Sequence, residues 1–307
     1  MGTPDFSVPA LKTLAQSPEF EIPLVVTQPD RPKGRGKKLA ASPVKSAAID
    51  LGLPLFQPER LNTPEAVEVL ADIEPDFFVV AAFGQILSRQ VLDIPNFYPV
   101  NIHASLLPKY RGASPIQAAI LNMDKTSGIT TMVMAQKMDA GDILLSAETP
   151  ISRDETAQDL HDRLSVMGAD LIVPTLKGIL DNTLTPQPQD ETAATYVKLL
   201  KKEDGRINWD ESSAATAARI RAMTPWPGAF TRLSDQTIKI FKAMDIPDCP
   251  KTPPGTLYQC NEKGIHVACG QGSLVILELM GRSGKRLTAA EYLRGHRMTP
   301  PLQFDVR

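Results

Sequence analysis

Pro99-Val100-Asn101-Ile102-His103-Ala104-Ser105-Leu106-Leu107-Pro108-Lys109-Tyr110-Arg111-Gly112-Ala113-Ser114-Pro115-Ile116 reads in order as a strand, a polar loop and the first turn of a helix. Pro99 to Ile102 is an apolar run of strand length. Ser114-Pro115 fits a helix start, because a serine hydroxyl accepts from a free amide while proline at the first helical position forfeits no hydrogen bond. The same signal recurs at Ser42-Pro43 and Thr63-Pro64, and further strand candidates stand at Ile22 to Thr27, Phe77 to Ala82 and Ile129 to Met134. Strands that alternate with helices predict an α/β, Rossmann-like domain with a mostly parallel sheet.

A longer helix is expected from about Thr156 to Leu180, with Leu160, Leu164, Met167, Leu171 and Leu176 on one stripe that covers a sheet face. Asn182 to Glu191 is poor in apolar residues and holds Pro186 and Pro188, which reads as the start of a linker. Beyond Trp209 a short helix, about Ser213 to Met223, precedes strands at Ile238 to Ala243, Gly255 to Tyr258, Ile265 to Cys269 and Leu274 to Leu279. Short strands between Gly, Pro and Asn turns point to a smaller OB-like β-barrel domain. Thr288 with Glu291 announces a last, capped helix. The expected division is therefore 1–181 for the catalytic domain, 182–208 for a linker and 209–307 for the barrel.

Composition sets limits on function. Of 307 residues, 42% are hydrophobic and 22% charged, the balance of a chain that buries a core. No apolar run reaches the roughly 18 residues of a membrane span, and the expected location is the cytoplasm, with no membrane partner. Cys249, Cys260 and Cys269 are odd in number and lack CxxC spacing, so neither a disulfide framework nor a zinc site is indicated. The net charge of -2 is unevenly spread: residues 209–307 carry 13 Lys+Arg against 9 Asp+Glu, and the rest is net acidic. Within that acidic part Arg31, Lys33, Arg35, Lys37 and Lys38 cluster among prolines and glycines directly after a strand. Such a cluster is either a solvated loop or a loop that reaches phosphates and the exposed end of a folded RNA.

The candidate chemistry lies where ligands of open α/β sheets bind, beyond the carboxyl ends of strands. Asn101 and His103 are two apart and so project to one side of an extended backbone. An amide and an imidazole there can converge on one substrate oxygen. Asp139, in the turn Lys137-Met138-Asp139-Ala140-Gly141-Asp142 after another strand, would orient the ring if it reaches His103. A charged imidazole beside an amide donor is a site for an oxyanion. Taken singly, each residue could equally be structural: a loop-bonding histidine, an Asx-turn aspartate, a strand-ending asparagine.

Together these residues carry a resemblance. Asn-Ile-His with Ser-Leu-Leu-Pro-Lys-Tyr-Arg-Gly and Pro-Ile, and the later Met-Asp-Ala-Gly-Asp, resemble the catalytic core of the folate-dependent formyltransferases. Gly2-Thr3-Pro4-Asp5-Phe6, Thr27-Gln28-Pro29-Asp30-Arg31-Pro32, Gly34-Arg35-Gly36-Lys37-Lys38-Leu39, Ser42-Pro43-Val44-Lys45 and Pro225-Trp226-Pro227 are similar to motifs of the tRNA-formylating branch of that family. The resemblance implies 10-formyltetrahydrofolate as formyl donor, initiator methionyl-tRNA as acceptor, and no metal. It assigns the formyl oxygen to Asn101, oxyanion stabilisation to His103 in its charged form, and pairing with His103 and ordering of a water to Asp139. Phe83, Gly84, Gln85, Ile86 and Leu87 would flank the pterin, and Ser105, Leu106, Leu107 and Pro108 would line the folate site. The basic cluster Arg31, Lys33, Arg35, Lys37 and Lys38 would enter the acceptor end of the tRNA. A monomer is expected. In the family a short apolar strand precedes Gly-Thr-Pro, and here Met1 stands directly before it, so the first strand is expected to be missing. Two alternatives stay open: a formyltransferase for another amine, on a sugar or purine precursor, and a non-catalytic RNA-binding protein on the same scaffold. The absence of G-x-G-x-x-G after an opening strand argues against a nucleotide-binding dehydrogenase.

Overall fold

A computed structural model of the chain describes residues 1–33, 38–248, 250–296 and 298–306. It contains two units, residues 1–115, 127–149 and 161–197 in the first, and 116–126, 150–160 and 198–307 in the second. Up to residue 197 the elements are α1 (Val8–Gln16), β1 (Val25–Val26), β2 (Arg31–Lys33), β3 (Lys38–Ala40), α2 (Pro43–Asp50), β4 (Leu55–Phe56), α3 (Pro64–Ala71), β5 (Phe77–Val80), α4 (Arg89–Leu92), β6 (Tyr98–His103), β7 (Arg111–Gly112), α5 (Pro115–Leu121), β8 (Thr126–Val133), β9 (Ile143–Pro150), α6 (Ala157–Leu180) and β10 (Tyr196–Val197).

The Ser/Thr-Pro pairs do start helices. Ser42 Oγ accepts from Lys45 N at 3.0 Å, Thr63 Oγ1 from Ala66 N at 3.4 Å, and α5 opens at Pro115. β1 pairs in parallel with β4, and β5 in parallel with β6. Met1 and Gly2 stand between these pairs: Gly2 N donates to Val26 O and Ala81 N to Met1 O, each at 3.0 Å. Beside them lies a cavity of about 430 Å³, lined by Leu14, Val25, Val44, Leu70, Phe78 and Leu176 among others. The core between β1, β5 and the helices holds Val26, Leu61, Leu70, Phe78, Val80, Phe83 and Val91.

The sheet continues in the order β5-β6-β8-β9, and β8 runs antiparallel to β6. Between β6 and β8 the connection holds β7 and the 7-residue α5. β9 escaped the sequence reading, since its edge side chains are only partly buried and its apolar and polar residues do not alternate cleanly. α6 covers the sheet face as its apolar stripe requires. Gly168 leaves a Cβ only 2.7 Å from Ile102 Cγ2, and the Thr175 and Thr131 hydroxyls bond at 2.9 Å. Among the described residues no helix is long and apolar enough to cross a membrane.

The second unit contains α7 (Ser213–Ala222), β11 (Ala229–Leu233), β12 (Gln236–Ile246), β13 (Thr256–Asn261), β14 (Gly264–Ala268), β15 (Ser273–Met280), β16 (Leu287–Thr288), α8 (Ala289–Gly295) and β17 (Leu302–Gln303). One antiparallel sheet runs β11-β12-β15-β14-β13-β17, with β16 on β15. It curls until its ends meet, where Asp305 N donates to Arg232 O at 3.0 Å. Bulges between Ile240 and Lys242 and between Leu257 and Gln259 supply bend. Trp209 is fully buried, stacked on Phe304 with ring centroids 5.6 Å apart, and its Nε1 donates to Thr231 Oγ1 at 2.9 Å. The Thr288–Glu291 capping box is formed at the start of α8.

Candidate active site

β5 and β6 are parallel neighbours, so the segments that follow them, 81–87 and 104–110, leave the sheet at one edge. Gln28 Nε2 and Thr3 Oγ1 both donate to Phe83 O, at 3.0 and 2.8 Å, which brings the chain after β1 to the same edge. This is the carboxyl edge, where open α/β sheets bind ligands.

His103 ends β6 with its side chain buried. Its Nε2 lies 3.1 Å from Tyr110 O and its Nδ1 3.7 Å from Asp139 Oδ2. The first is a hydrogen bond in which the ring must be the donor, since a carbonyl only accepts. The second is an ion-pair distance too long for a direct hydrogen bond. Tyr110 and Asp139 both have positive φ, 60° and 50°. These left-handed turns are uncommon for residues with a side chain and re-aim one carbonyl and one carboxylate at the ring. Asp139 Oδ2 also accepts from Gly112 N at 2.7 Å, so the loop after β6 and the loop after β8 are pinned to each other. Asn101, two places before His103 on the strand, is half-buried, and among the described residues its amide has no hydrogen-bond partner. The structure thus brings His103 and Asp139 together across 36 positions and sets Asn101 on the same strand face as His103.

The segments expected at the folate are divided in their commitments. Phe83 and Leu87 are buried in the core, and Gln85 is engaged at both ends, accepting from Leu61 N at 2.9 Å and donating to Pro58 O at 3.2 Å. Ile86 is 75% exposed at the carboxyl edge. Gly84 has φ +82°, and a Cβ there would stand 2.4 Å from Gln28 Nε2. Ser105 is buried, with its hydroxyl given to Lys109 O at 2.6 Å and its carbonyl accepting from Thr130 Oγ1 at 2.7 Å. Leu107 N donates to Thr130 Oγ1 at 3.1 Å, and the Leu107–Pro108 peptide is cis. Leu106 packs against Gly128, where a Cβ would come within 2.5 Å of Leu106 Cδ2. Ser105 and Leu107 therefore shape the loop through hydrogen bonds.

The basic cluster is flanked by a ribbon, β2 paired antiparallel with β3, not by an irregular loop. Arg31 is exposed and pairs with Glu59 at 3.3 Å. Arg35 and Lys37, and the side chains of Lys33 and Lys38, lie outside the described residues. The base of the ribbon is firm: Lys45 Nζ reaches both carboxylate oxygens of Asp30, at 2.9 and 2.8 Å, and Gln57 Nε2 donates to Asp30 Oδ1 at 3.1 Å. Lys45, and then Gln57, hold the Asp30 carboxyl below its ordinary range.

Sequence reading missed the residues that brace this site. Arg111, fully buried, donates from Nε and Nη2 to Gln189 Oε1, from Nη1 to Tyr196 Oη and from Nη2 to Glu191 Oε1. Glu191 in turn accepts from Lys137 Nζ at 2.7 Å. Arg111, then Lys137, pull the Glu191 carboxyl down to about 2, and Glu191 raises both cations. The stretch expected as the start of a linker is thus joined to the first unit, since β10 pairs in parallel with β7 and residues 182–197 belong to that unit. Arg111 stood in the quoted motif, and a buried arginine needs carboxylate and amide partners. That need was the available signal.

A family model described as formyl transferase matches residues 1–176, and one described as formyl transferase, C-terminal domain, matches residues 199–297. The chain is 45% identical over 300 residues to the methionyl-tRNA formyltransferase of Citrifermentans bemidjiense, covering 98% of this chain and 93% of that protein. It is 46% identical to the methionyl-tRNA formyltransferase of Geobacter metallireducens, covering 99% and 97%. Among solved structures, an N-formyltransferase from Helicobacter canadensis in complex with folinic acid and dTDP-3-aminofucose superposes with a TM-score of 0.65 at 19% identity. That superposition covers 90% of this chain and 96% of the other, and it speaks to the fold alone.

Proposed function

Because the chain belongs to the formyl transferase family, we propose that it transfers the formyl group of 10-formyltetrahydrofolate to the free amino group of initiator methionyl-tRNA. The observation that carries the chemistry is the pairing of the half-buried Asp139 with buried His103, which stands at the carboxyl end of β6, the strand that also presents Asn101.

The amine attacks the formyl carbon, the C=O π electrons move to oxygen, and the tetrahedral intermediate collapses with release of tetrahydrofolate. The attacking nitrogen loses a proton and the departing folate nitrogen gains one. Negative charge peaks on the formyl oxygen, where Asn101 and His103 act as donors. Since Nε2–H of His103 is given to Tyr110 O, a hydrogen bond to the oxyanion must come from Nδ1. A ring that donates from both nitrogens is an imidazolium, and the Asp139 carboxylate lies 3.7 Å from Nδ1. Asp139 also suits a water placed for proton transfer. Losing one such donor costs about 3 kcal/mol in the barrier, roughly a hundredfold in rate.

Ile86 offers an apolar face to a pterin, and Leu106 and Pro108 continue the lining. The ribbon that flanks the basic cluster leaves the sheet beside these loops, which supports a role in engaging the acceptor end of the tRNA through Arg31, Lys33, Arg35, Lys37 and Lys38. A monomer in the cytoplasm fits this reading. The test is incubation with methionyl-tRNA and 10-formyltetrahydrofolate, then analysis of the aminoacyl ester for N-formylmethionine, beside sugar-amine and purine-precursor acceptors. Formylation of only those other amines transfers the assignment to another branch of the family. Arg35→Ala is expected to weaken turnover of the tRNA far more than folate binding, and equal losses count against a direct tRNA contact.

A further inference from the structure

Asp139 holds a backbone conformation that residues with a side chain rarely adopt, φ +50°, and its carboxylate has to face Gly112 N and His103 at once. The turn's own link is modest, Ala140 N to Lys137 O at 3.3 Å. Gly112 N pins the Asp139 carboxylate and Val133 N donates to Asp142 O at 2.9 Å, while the Asp139 and Gly141 carbonyls are held by one side chain. Gln189 Nε2 donates to Asp139 O at 2.9 Å and to Gly141 O at 2.6 Å.

The orientation of that amide is fixed chemically. Gln189 Oε1 accepts from Arg111 Nε at 3.1 Å and from Nη2 at 2.8 Å, and a guanidinium only donates. The oxygen must therefore face Arg111, and the NH₂ group must face the two carbonyls. Both amide hydrogens of Gln189 and its oxygen are used in this junction. Arg111 is anchored at its far side by Glu191 Oε1 at 2.7 Å and Tyr196 Oη at 2.9 Å.

The same segment fixes the other acceptor of His103. Thr195 Oγ1 accepts from Tyr110 N at 2.8 Å and Thr195 O from Arg111 N at 2.8 Å, on either side of the carbonyl that holds Nε2. Residues 189–196 thus hold the backbone that carries both acceptors between which the imidazole is set, the Tyr110 carbonyl and the Asp139 carboxylate.

We propose that Gln189 is a positioning residue for the transfer reaction, its amide clamping the Asp139–Gly141 turn to Arg111 so that the Asp139 carboxylate stays aimed at His103. It touches no substrate and acts through Asp139. The assignment rests on the formyl-transfer reading above.

Gln189→Glu separates this role from plain stabilisation. Glutamate keeps the length and the bond to Arg111, so the braced segment stays in place. It turns an oxygen toward Asp139 O and Gly141 O, and three acceptors cannot share a hydrogen, so the turn is pushed away. In single-turnover assays with methionyl-tRNA and 10-formyltetrahydrofolate the expected result is a fall in the transfer rate of about 10- to 100-fold. Both apparent KM values and the melting temperature stay close to wild type. In an Asp139→Ala background the same change produces no further loss, because the group being aimed is gone. Gln189→Met, which fills the volume without hydrogen bonds, is measured in parallel and serves if the glutamate variant fails to fold. An unchanged transfer rate in a folded variant overturns the assignment, as does an equal loss with and without Asp139. Absence of formyl transfer by the wild-type chain instead overturns the functional reading on which this one stands.

Discussion

Replacing Asp139 by Asn isolates charge from shape. The asparagine amide oxygen can still accept from Gly112 N, which Asp139 Oδ2 does at 2.7 Å, so the turn keeps its pin. What disappears is a negative charge 3.7 Å from His103 Nδ1. At an effective dielectric of about 20 that pair is worth at most about 4.5 kcal/mol, which as a rate effect would be roughly three powers of ten. Asn101 and the Tyr110 carbonyl still act in the variant, so the expected fall in kcat is smaller, about 100- to 1000-fold. KM for both substrates and the melting temperature should move little. Single-turnover formylation of methionyl-tRNA at saturating donor, with a thermal scan of the same preparation, measures both quantities. A folded Asp139→Asn enzyme within about threefold of wild type would falsify the view that this carboxylate matters through its charge. A collapse in stability matching the loss in rate would show that it matters as a structural acceptor.

Other perturbations have equally definite expectations. Gly141→Ala places a methyl 1.9 Å from Val133 O, so the Asp139 turn has to move. The kcat should fall by about tenfold or more with unchanged substrate KM, read in steady-state assays. Glu191, held down to about 2 by Arg111 and Lys137 against an ordinary value of 4.5, contributes stability that is fully present above pH 4.5 and is lost as pH falls toward 2. Glu191→Gln lacks that contribution, so the stability difference between wild type and variant in urea should shrink as pH is lowered through that window; a gap that stays constant or widens contradicts the ion-pair account. Trp209→Ala removes the fully buried ring stacked on Phe304 and leaves Thr231 without its indole donor. Its cost should be about 3–5 kcal/mol by denaturant titration, with a loss under 1 kcal/mol contradicting the described packing.

Where local chemistry dictates structure, the sequence was a sufficient guide. The Ser-Pro and Thr-Pro helix starts, the Thr288–Glu291 cap, the stripe of α6 and the alternation of strands and helices each depend on a few adjacent residues. The antiparallel direction of β8 is set by its pairing with β6 across the sheet, which no periodicity records. For the site, Asn101 and His103 were readable from one strand, and Asp139 came from the resemblance and from its place in a turn after a strand. For Gln189, Glu191 and Tyr196 the one signal was the arginine of the motif, which needs such partners once buried. They sit in a proline-containing polar stretch whose local character is that of a connector, and their roles come from partners about 80 residues away. The hydrogen-bonding needs of buried Arg111 set those roles, and burial of an arginine is a tertiary fact. The folate segments show the converse. Phe83 and Leu87 belong to a recognisable loop, yet their side chains serve the core.

The short parallel pairing of Tyr196 with Arg111 has a bearing on biosynthesis. As a nascent chain leaves the ribosome, His103 and Asp139 emerge well before the strand that holds their loops in place. A chain grown only to residue 181 contains α1 to α6 and β1 to β9, but its Arg111 guanidinium lacks Gln189, Glu191 and Tyr196. Folding of the first unit during translation therefore finishes late, when roughly sixteen more residues have cleared the exit tunnel and can close over the turn. Until then the nascent enzyme has its reacting groups but not the geometry that makes them act together.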